Sequence, residues 1–323
     1  MTLFGGATGW SALQRVVRLW LSCAFLAAVS EQAVAARVAV VLSDDAAPYQ
    51  EVYQVIRAYL DDSPHEAARI YVGGLTADSL GDARLAVAVG VGAADALAAL
   101  PDRPPVLAIL VPRAWYLKTA RARLTSDTGR SQSAIYLDQP FERQALLIRL
   151  ALPDVRRVGV LLSAEQSGLV SELEGALRAQ RLSLVYATLK EDERLITPLE
   201  AVLTEADLLL ALPDPLIFNR NTAQSIFLTS YRYRDPVLGY SHSMTRAGAL
   251  LSLHSSPAQI GRQAAEWISE AMQGGTVRLP PPAYPRYFSV SINDQVARSL
   301  GFTLPPEADL EKRLGGGGQW RGH

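Results

Sequence analysis

Two apolar runs with the same polar ending divide the chain into similar halves. "RVAVVLSDD" begins at Arg37 and "RVGVLLSAE" begins at Arg157, and each run stops at a serine that acidic residues follow closely. Short apolar runs followed by helical periodicity are typical of buried parallel strands with crossover helices. The two runs therefore predict the first strand of each of two βαβαβ lobes.

The rest of each half follows the same alternation of strands and helices. The predicted strands of the first half are Val38–Leu42, Ala68–Gly73, Arg84–Gly90, Pro105–Leu110 and Ser133–Pro140, with helices at Ala47–Leu60 and from Ala93. Those of the second half are Val158–Leu162, Ser183–Leu189, Ala206–Pro215, Asp235–Ser241, Gly248–Leu253 and Arg286–Asn293, with helices at Gly168–Gln180, Pro198–Thr204 and Pro257–Met272 and one that contains Phe218 and Ile226. Two unrelated α/β domains remain the alternative, because apolar parallel strands look alike in any such fold.

The repeat sets the expected domain boundaries. We predict a first α/β lobe over residues 36–135 and a second over 136–285, with crossovers near 136–140, 239–243 and 280–288. A final strand and helix over 286–304 are predicted to return to the first lobe. The glycine-rich residues 305–323 are predicted to form a flexible tail.

The first 35 residues have the pattern of an export signal. Arg15 and Arg18 precede the apolar stretch Leu19–Val29, and Ala33-Val34-Ala35 is a small-x-small cleavage site. The apolar stretch is too short for a membrane span, which needs about 20 residues. Cys23 leaves a lipoprotein as the alternative, which an aromatic residue at position 20 disfavours, so we expect free export to the periplasm.

Composition excludes several classes of partner. Removing Arg15, Arg18 and Glu31 from the totals of 31 basic and 32 acidic residues leaves 29 and 31, a net charge near −2. This balance favours neither nucleic acid nor a membrane surface as a partner. The only cysteine lies in the leader, so we expect core burial rather than disulfides to stabilise the exported protein.

The second half resembles a known family. "VGVLLSAEQSG", "ADLLLALPDP", "PVLGYSHSMTRAGALLSLHSSPAQIGRQAAEWI" and "YFSVSINDQVARSLGF" are similar to ABC-transporter substrate-binding proteins of the uncharacterised-transport type, over roughly residues 157–302. The resemblance implies the type I periplasmic-binding-protein fold: two Rossmann-like lobes with parallel sheets joined by a hinge. Some members of the family bind aromatic amino acids. The first half departs from the family pattern at Gly90-Val91-Gly92 and at Val111-Pro112-Arg113.

The candidate ligand-binding residues follow the predicted strands, because ligands of open parallel sheets lie outside the carboxyl ends of the strands. They are Ser43, Asp44, Asp45, Gly90, Gly92, Arg113, Ser163, Glu165, Asp214, Tyr240 and Ser241. Arg113 would hold a carboxylate, Asp44 an amine and Tyr240 a flat ring. Each has a structural alternative: a helix cap for Asp44 and Asp214, a plain turn for the glycines, and surface or packing roles for Arg113 and Tyr240. Asp138 and Gln139 are predicted to border the hinge.

Catalytic and metal sites receive little support from the sequence. Adjacent Ser241 and His242 would point in different directions, so they do not form a nucleophile–base pair. The four histidines show no metal-ligand spacing, and His254 is predicted to lie on a surface loop. We expect neither enzyme activity nor a cofactor.

Two functions follow from these predictions. The first is a periplasmic binding protein that closes over a small solute, of which an amino-acid-like one is permitted by the candidate residues, and delivers it to an inner-membrane ABC permease. The alternative is a ligand-sensing or accessory subunit of an envelope receptor or signalling system, without transport.

Overall fold

The first lobe is built on a five-stranded parallel sheet. The computed structural model describes residues 37–120, 132–190 and 193–315. This lobe begins with β1 (Arg37–Leu42), α1 (Ala47–Leu60), β2 (Glu66–Tyr71), α2 (Ala77–Leu80), β3 (Leu85–Val89), α3 (Val91–Ala98), β4 (Val106–Val111), α4 (Arg113–Trp115), a π-helical turn (Tyr116–Ala120) and β5 (Gln132–Tyr136). The strand order is β2-β1-β3-β4-β5, and every pair is parallel.

The second lobe repeats this order and adds one antiparallel strand. The chain continues through α5 (Phe141–Ala151), β6 (Arg157–Ser163), a 3-10 turn (Ala164–Leu169), α6 (Val170–Ala179), β7 (Ser183–Leu189), α7 (Ile196–Glu205), β8 (Leu208–Leu210), α8 (Ala223–Tyr233), β9 (Val237–Gly239), α9 (His242–Ala247), β10 (Leu251–His254), α10 (Pro257–Ala271), β11 (Ser289–Ile292), α11 (Asp294–Leu300) and α12 (Glu307–Gly315). The order β7-β6-β8-β9-β10 matches the first sheet, and β11 pairs antiparallel with β10. The predicted architecture of two similar α/β lobes is therefore confirmed.

Helices cover both faces of each sheet, which explains the apolar strands. Val38–Leu42 of β1 have no exposed surface, as expected for the interior strand of a covered parallel sheet. In the first lobe, α1 and α10 pack on one face and α3 on the other. In the second lobe, α5, α6 and α12 pack on one face and α7, α8 and α9 on the other.

The chain crosses between the lobes three times. The crossovers follow β5, β10 and α10, because α10 packs against α1 in the first lobe although it lies late in the chain. The crossover predicted near 239–243 is wrong: Ser241 caps α9, which stays in the second lobe. The apolar face of α10 fits either lobe, so its periodicity did not show which sheet it covers.

The last strand does not return to the first lobe as predicted. β11 lies at the edge of the second sheet beside β10, and Ala297 of α11 is buried in the second core. Strand pairing is a long-range contact that the apolar pattern does not specify. The predicted tail is also ordered up to residue 315, because Leu310 and Leu314 of α12 are fully buried against the same core.

Two local predictions also differ from the structure. The strand expected over Ala206–Pro215 is only the three residues of β8, and Phe218 lies in the turn before α8. α5 was not predicted. Within the described residues, no helix is long and apolar enough to cross a membrane, and the predicted leader lies outside them.

Candidate functional site

The first-lobe loops meet around the Ser43 side chain. Ser43 Oγ donates to the Val89 carbonyl oxygen (2.8 Å) and accepts from the Ala93 N–H (2.9 Å), so it joins the ends of β1 and β3 to the start of α3. Gly90 has φ +88°, and a Cβ there would lie 2.7 Å from Ser43 Oγ. A Cβ at Gly92 would lie 3.2 Å from the same Ser43 Oγ atom. These three predicted site residues therefore form one tight turn, and the positive φ and short distance at Gly90 require glycine there.

The two aspartates after β1 are exposed. Asp44 Oδ1 accepts the Ala46 N–H (2.8 Å) in an Asx turn just before α1, whose N-cap is Ala46, so Asp44 is not the helix cap considered for it. Asp45 is exposed beside it. Burial, followed by the charge of Asp44, raises the pKa of the nearby Tyr49 hydroxyl.

Arg113 extends from the end of β4 to the opposite lobe. A bulge precedes it: the register shifts between Ile109 and Val111, and Leu110 has φ +54°. Such bulges redirect a strand near a functional site. The Arg113 guanidinium forms an ion pair with Glu172 Oε2 of α6 (Nη1–Oε2 2.8 Å) and lies 5.5 Å from the ring centroid of Tyr284.

A second ion pair also spans the two lobes. Lys118 Nζ, in the turn after α4, lies 3.0 Å from Glu165 Oε1 in the turn after β6. Both side chains are exposed, so water screens the pair and its contribution to stability is small. The predicted site residue Glu165 is thus engaged by a lysine of the first lobe.

Asp138, in the first crossover, contacts the backbone of Arg113 at the end of β4. Its Oδ2 accepts the Arg113 N–H (2.6 Å), and the residue is buried. Burial raises the pKa of this carboxyl to about 6, although the Arg113 N–H works in the opposite direction. Burial, then Asp214 and then Asp138 raise the pKa of Tyr240 to about 12. The Tyr240 hydroxyl is therefore within electrostatic range of both carboxylates.

Two buried oxygen atoms at the ends of β6 and β8 have no partner. Asp214 Oδ1 accepts the Leu216 N–H (2.9 Å), but Oδ2 has no hydrogen bond to any residue that the structure describes. Gln166 Nε2 donates to the Pro213 carbonyl oxygen (3.1 Å), while its Oε1 is likewise unpaired. Asp214 is 6% exposed and Gln166 2% exposed. A buried acceptor without a donor is costly, so these atoms define where a ligand would donate.

Aromatic and hydroxyl groups complete this wall of the second lobe. Tyr240 follows β9 and meets Phe218 edge to face, with ring centroids 6.1 Å apart. Ser163 is buried at the end of β6. Ser241 Oγ accepts the Met244 N–H (3.3 Å) as the cap of α9. Tyr240 and Asp214 are therefore brought together as candidates, whereas the Ser241 hydroxyl is already engaged by its helix.

A polar network joins the three crossovers. Gln139 Nε2 donates to Ser255 Oγ (2.9 Å), and Ser255 Oγ donates to the Tyr287 carbonyl oxygen (2.5 Å). Arg143 Nη1 donates to Gln139 Oε1 (2.6 Å) and to the Pro285 carbonyl oxygen (3.2 Å). Burial lowers the pKa of Arg143 to about 10. Gln139 thus contacts residues of the first and second crossovers, and Arg143 and Ser255 extend the network to the third.

His254 is not on a surface loop as predicted. It ends β10, is 6% exposed, and its Nε2 lies 2.9 Å from Ser291 Oγ, which also contacts His242 Nδ1 (3.1 Å). The next residues begin a crossover rather than an exposed loop, which explains the burial. In the described parts of the chain, no group of three or more potential ligands is placed to hold a metal ion.

Sequence reasoning missed several residues of this region. Glu172 had the pattern of an exposed residue on α6, and Arg143 lies on a helix that was not predicted. Tyr284 lies in the proline-rich segment "PPPAYPRY". An aromatic residue between prolines, next to a predicted crossover, was the one available signal for its position.

Comparison with known proteins identifies the fold. A "conserved domain protein" from Vibrio cholerae O1 biovar El Tor strain N16961 is 21% identical, with a TM-score of 0.62 over 85% of this chain and 97% of that chain. An ABC domain from Streptococcus pneumoniae, in complex with L-Trp, is 18% identical with a TM-score of 0.62 over 86% and 98%. The ligand-free, open CD0873 from Clostridium difficile, a substrate-binding protein with adhesive properties, is 13% identical with a TM-score of 0.65 over 84% and 96%.

These similarities establish the type I periplasmic-binding-protein fold predicted above. No curated protein shows significant sequence similarity to the chain. The sequence profile of the family described as "ABC transporter substrate binding protein" matches residues 81–311, well over half of the chain. The match confirms the resemblance first seen in the second half and extends it into the first lobe. The chain belongs to the ABC transporter substrate-binding protein family.

Proposed function

We propose that this protein is the solute-binding component of an ABC-type uptake system. It captures a small solute between its lobes in the periplasm, after removal of the leader, and delivers it to an inner-membrane permease, without catalysis. The observation that carries the proposal is the pair of buried, unpaired acceptors Asp214 Oδ2 and Gln166 Oε1 beside Tyr240. Family membership supports the same function.

The proposed ligand site consists of the strand-end residues of both lobes. Asp214, Gln166 and Tyr240 contact the solute, and the Ser43 turn with Gly90 and Gly92 forms the facing wall. Asp44, Asp45, Ser163 and Ser241 line the edges. Asp138 and Gln139 act at the hinge, because closure needs residues that absorb the change in lobe orientation. The relative from Streptococcus pneumoniae in complex with L-Trp supports a solute with a flat ring.

A thermal-shift screen tests this function. The purified protein is heated with amino acids, amines, organic acids, sugars and nucleosides, one at a time. A true ligand at 100 times its Kd adds about 2.7 kcal/mol to the free energy of unfolding, which raises Tm measurably. If no solute in the panel changes Tm, the uptake function is wrong, and the accessory role without transport is favoured instead.

Asp214→Ala tests the position of the site. We expect it to abolish the ligand-induced shift while the protein still unfolds cooperatively, because the buried acceptor is lost. Asp154→Ala removes an exposed carboxylate far from the strand ends and serves as the control. A full ligand-induced shift in Asp214→Ala would exclude this residue from the site.

A further inference from the structure

The residue expected to hold a ligand carboxylate is already paired. Arg113 forms its ion pair with Glu172 of the opposite lobe, at 2.8 Å, with Tyr284 stacked against the guanidinium. The Tyr284 hydroxyl also lies 3.5 Å from Glu172 Oε1. Glu172 therefore competes with the acid group of an amino acid for the Arg113 guanidinium.

A second cation near these loops is also engaged. Lys118 pairs with Glu165 across the lobes. The described loops that follow β1, β3, β4, β6, β8 and β9 contain Arg113 and, after β8, the exposed Arg220. A carboxylate that approached Arg113 or Lys118 would thus have to compete with Glu172 or Glu165. Displacement of either glutamate leaves its carboxylate without a partner, which weakens binding.

The unpaired oxygen atoms of Asp214 and Gln166, in the second lobe, both accept hydrogen bonds. Asp214 Oδ2 and Gln166 Oε1 are more than nine-tenths buried and have no donor among the described residues. Gln166 contacts the carbonyl of Pro213, directly before Asp214. Since a charged donor satisfies a carboxylate best, this wall favours a ligand that brings a positive charge.

We propose that the site selects a cationic ligand: a protonated amine on a flat, largely apolar body, without a carboxylate. Asp214 and Gln166 accept the ammonium hydrogens, and Tyr240 packs against the flat body. Glu172 holds Arg113 and so excludes the α-carboxylate of an amino acid. The proposal rests on the uptake function above and narrows its solute class.

A matched ligand series tests the proposal by isothermal titration. Tryptamine carries the amine alone, L-tryptophan the amine and the carboxylate, and indole-3-propionate the carboxylate alone. We expect tryptamine to bind at least about tenfold more tightly than L-tryptophan, and indole-3-propionate not to bind, since an unpaired buried charge costs roughly that factor or more. Tighter binding of L-tryptophan, or binding of the acid alone, overturns the proposal.

Two variants separate the roles of the charged groups. Asp214→Asn keeps the Oδ1 acceptor of the Leu216 N–H but loses the charge, and we expect tryptamine to bind about 10- to 100-fold more weakly. Glu172→Gln releases Arg113, so the preference for tryptamine over L-tryptophan should fall about tenfold. Glu174→Gln, two residues along α6 and paired with Arg178, is the control and should keep the preference. An unchanged preference in Glu172→Gln contradicts the proposal.

The screen for uptake function separates the two possible failures. If no indole compound binds but another solute raises Tm, the cationic proposal holds when that solute is an amine without a carboxylate. It fails when the solute carries a carboxylate or has no cationic group, and the uptake function then stands alone. If no solute binds, both proposals fail together.

Discussion

Asp235 has a carboxyl group that is buried without a full set of partners. It lies between α8 and β9, is 8% exposed, and its Oδ2 has no hydrogen-bond partner among the described residues. Burial, followed by the charge of Asp207, raises the pKa of Asp235 to about 7, against a smaller opposite effect of Arg157. The folded protein therefore holds this proton over a pH range in which the unfolded chain has released it.

The raised pKa makes stability depend on pH in a defined direction. Below about pH 4 the carboxyl is protonated in both states, so it has no effect on the free energy of unfolding. Between about pH 4 and 7 the folded state binds more protons than the unfolded state, so stability falls as pH rises. Above about pH 7 the carboxyl is ionised in both states, so the decrease in the free energy of unfolding is complete and no longer changes with pH.

Asp235→Asn should remove this loss. We expect the variant to exceed the wild type in unfolding free energy at pH 8, with the difference shrinking towards pH 4, as measured by urea denaturation across that range. Asp154→Asn, which changes an exposed carboxylate, is expected to leave the pH dependence of the wild type unchanged. An Asp235→Asn protein with the wild-type pH dependence would show that Asp235 does not cause it.

At the scale of elements, the packing of α7 on β6 depends on one residue without a side chain. A Cβ at Gly159 would lie 2.6 Å from Val202 Cγ1 and 2.8 Å from Ala206 Cβ. These distances are well inside van der Waals contact, so the helix can approach the strand only over glycine. The close approach of α7 to the sheet at this point therefore depends on Gly159 of β6.

Gly159→Ala should destabilise the protein by about 1–3 kcal/mol, because overpacking shifts the helix or forces poor rotamers. Gly175→Ala is the matched control: its position on α6 is exposed with open space around it. Alanine there should raise stability by about 0.5–1 kcal/mol, since glycine is a poor helix former. Urea denaturation of both variants measures the effects, and a neutral Gly159→Ala would contradict the predicted clash.

Elements with strong local patterns could be predicted from the sequence. The bounds of α1 at Ala47–Leu60 and of β7 at Ser183–Leu189 were predicted as observed, because burial alternates along them with a clear period. α5 was missed, since its buried face includes Arg143 and Gln144 and does not read as apolar. The periodicity of apolar residues predicts which apolar side chains are buried, but it does not predict which polar side chains are buried beside them.

At the scale of the whole molecule, the three crossovers depend on a few side-chain hydrogen bonds. Gln139 accepts from Arg143 and donates to Ser255, and both partners are buried. Gln139→Leu should destabilise the protein by about 1–3 kcal/mol, because buried polar groups lose their partner. Urea denaturation measures this loss of unfolding free energy.

The control for that change is Gln224→Leu, on the exposed side of α8. A surface substitution of this kind should alter stability by no more than about 0.5 kcal/mol. Equal effects of the two leucine substitutions would mean that the crossover network does not stabilise the arrangement of the lobes.

The contacts between distant segments were beyond what the sequence could predict. The loops after the strands were correctly expected to carry the polar groups, since that follows from the parallel sheets. The pairing of Arg113 with Glu172 depends on how close the lobes lie, and no periodicity encodes that distance. For the same reason the lobe that α10 covers became clear only from the structure.

The placement of α10 has a consequence for how the protein is made. The face of the first sheet beside α1 stays uncovered until Pro257–Ala271 has been synthesised, although the last strand of that sheet ends at Tyr136. Until that helix is available, the polypeptide exposes an apolar surface that a chaperone would recognise. The first lobe therefore finishes folding only after most of the second has been made and exported with it.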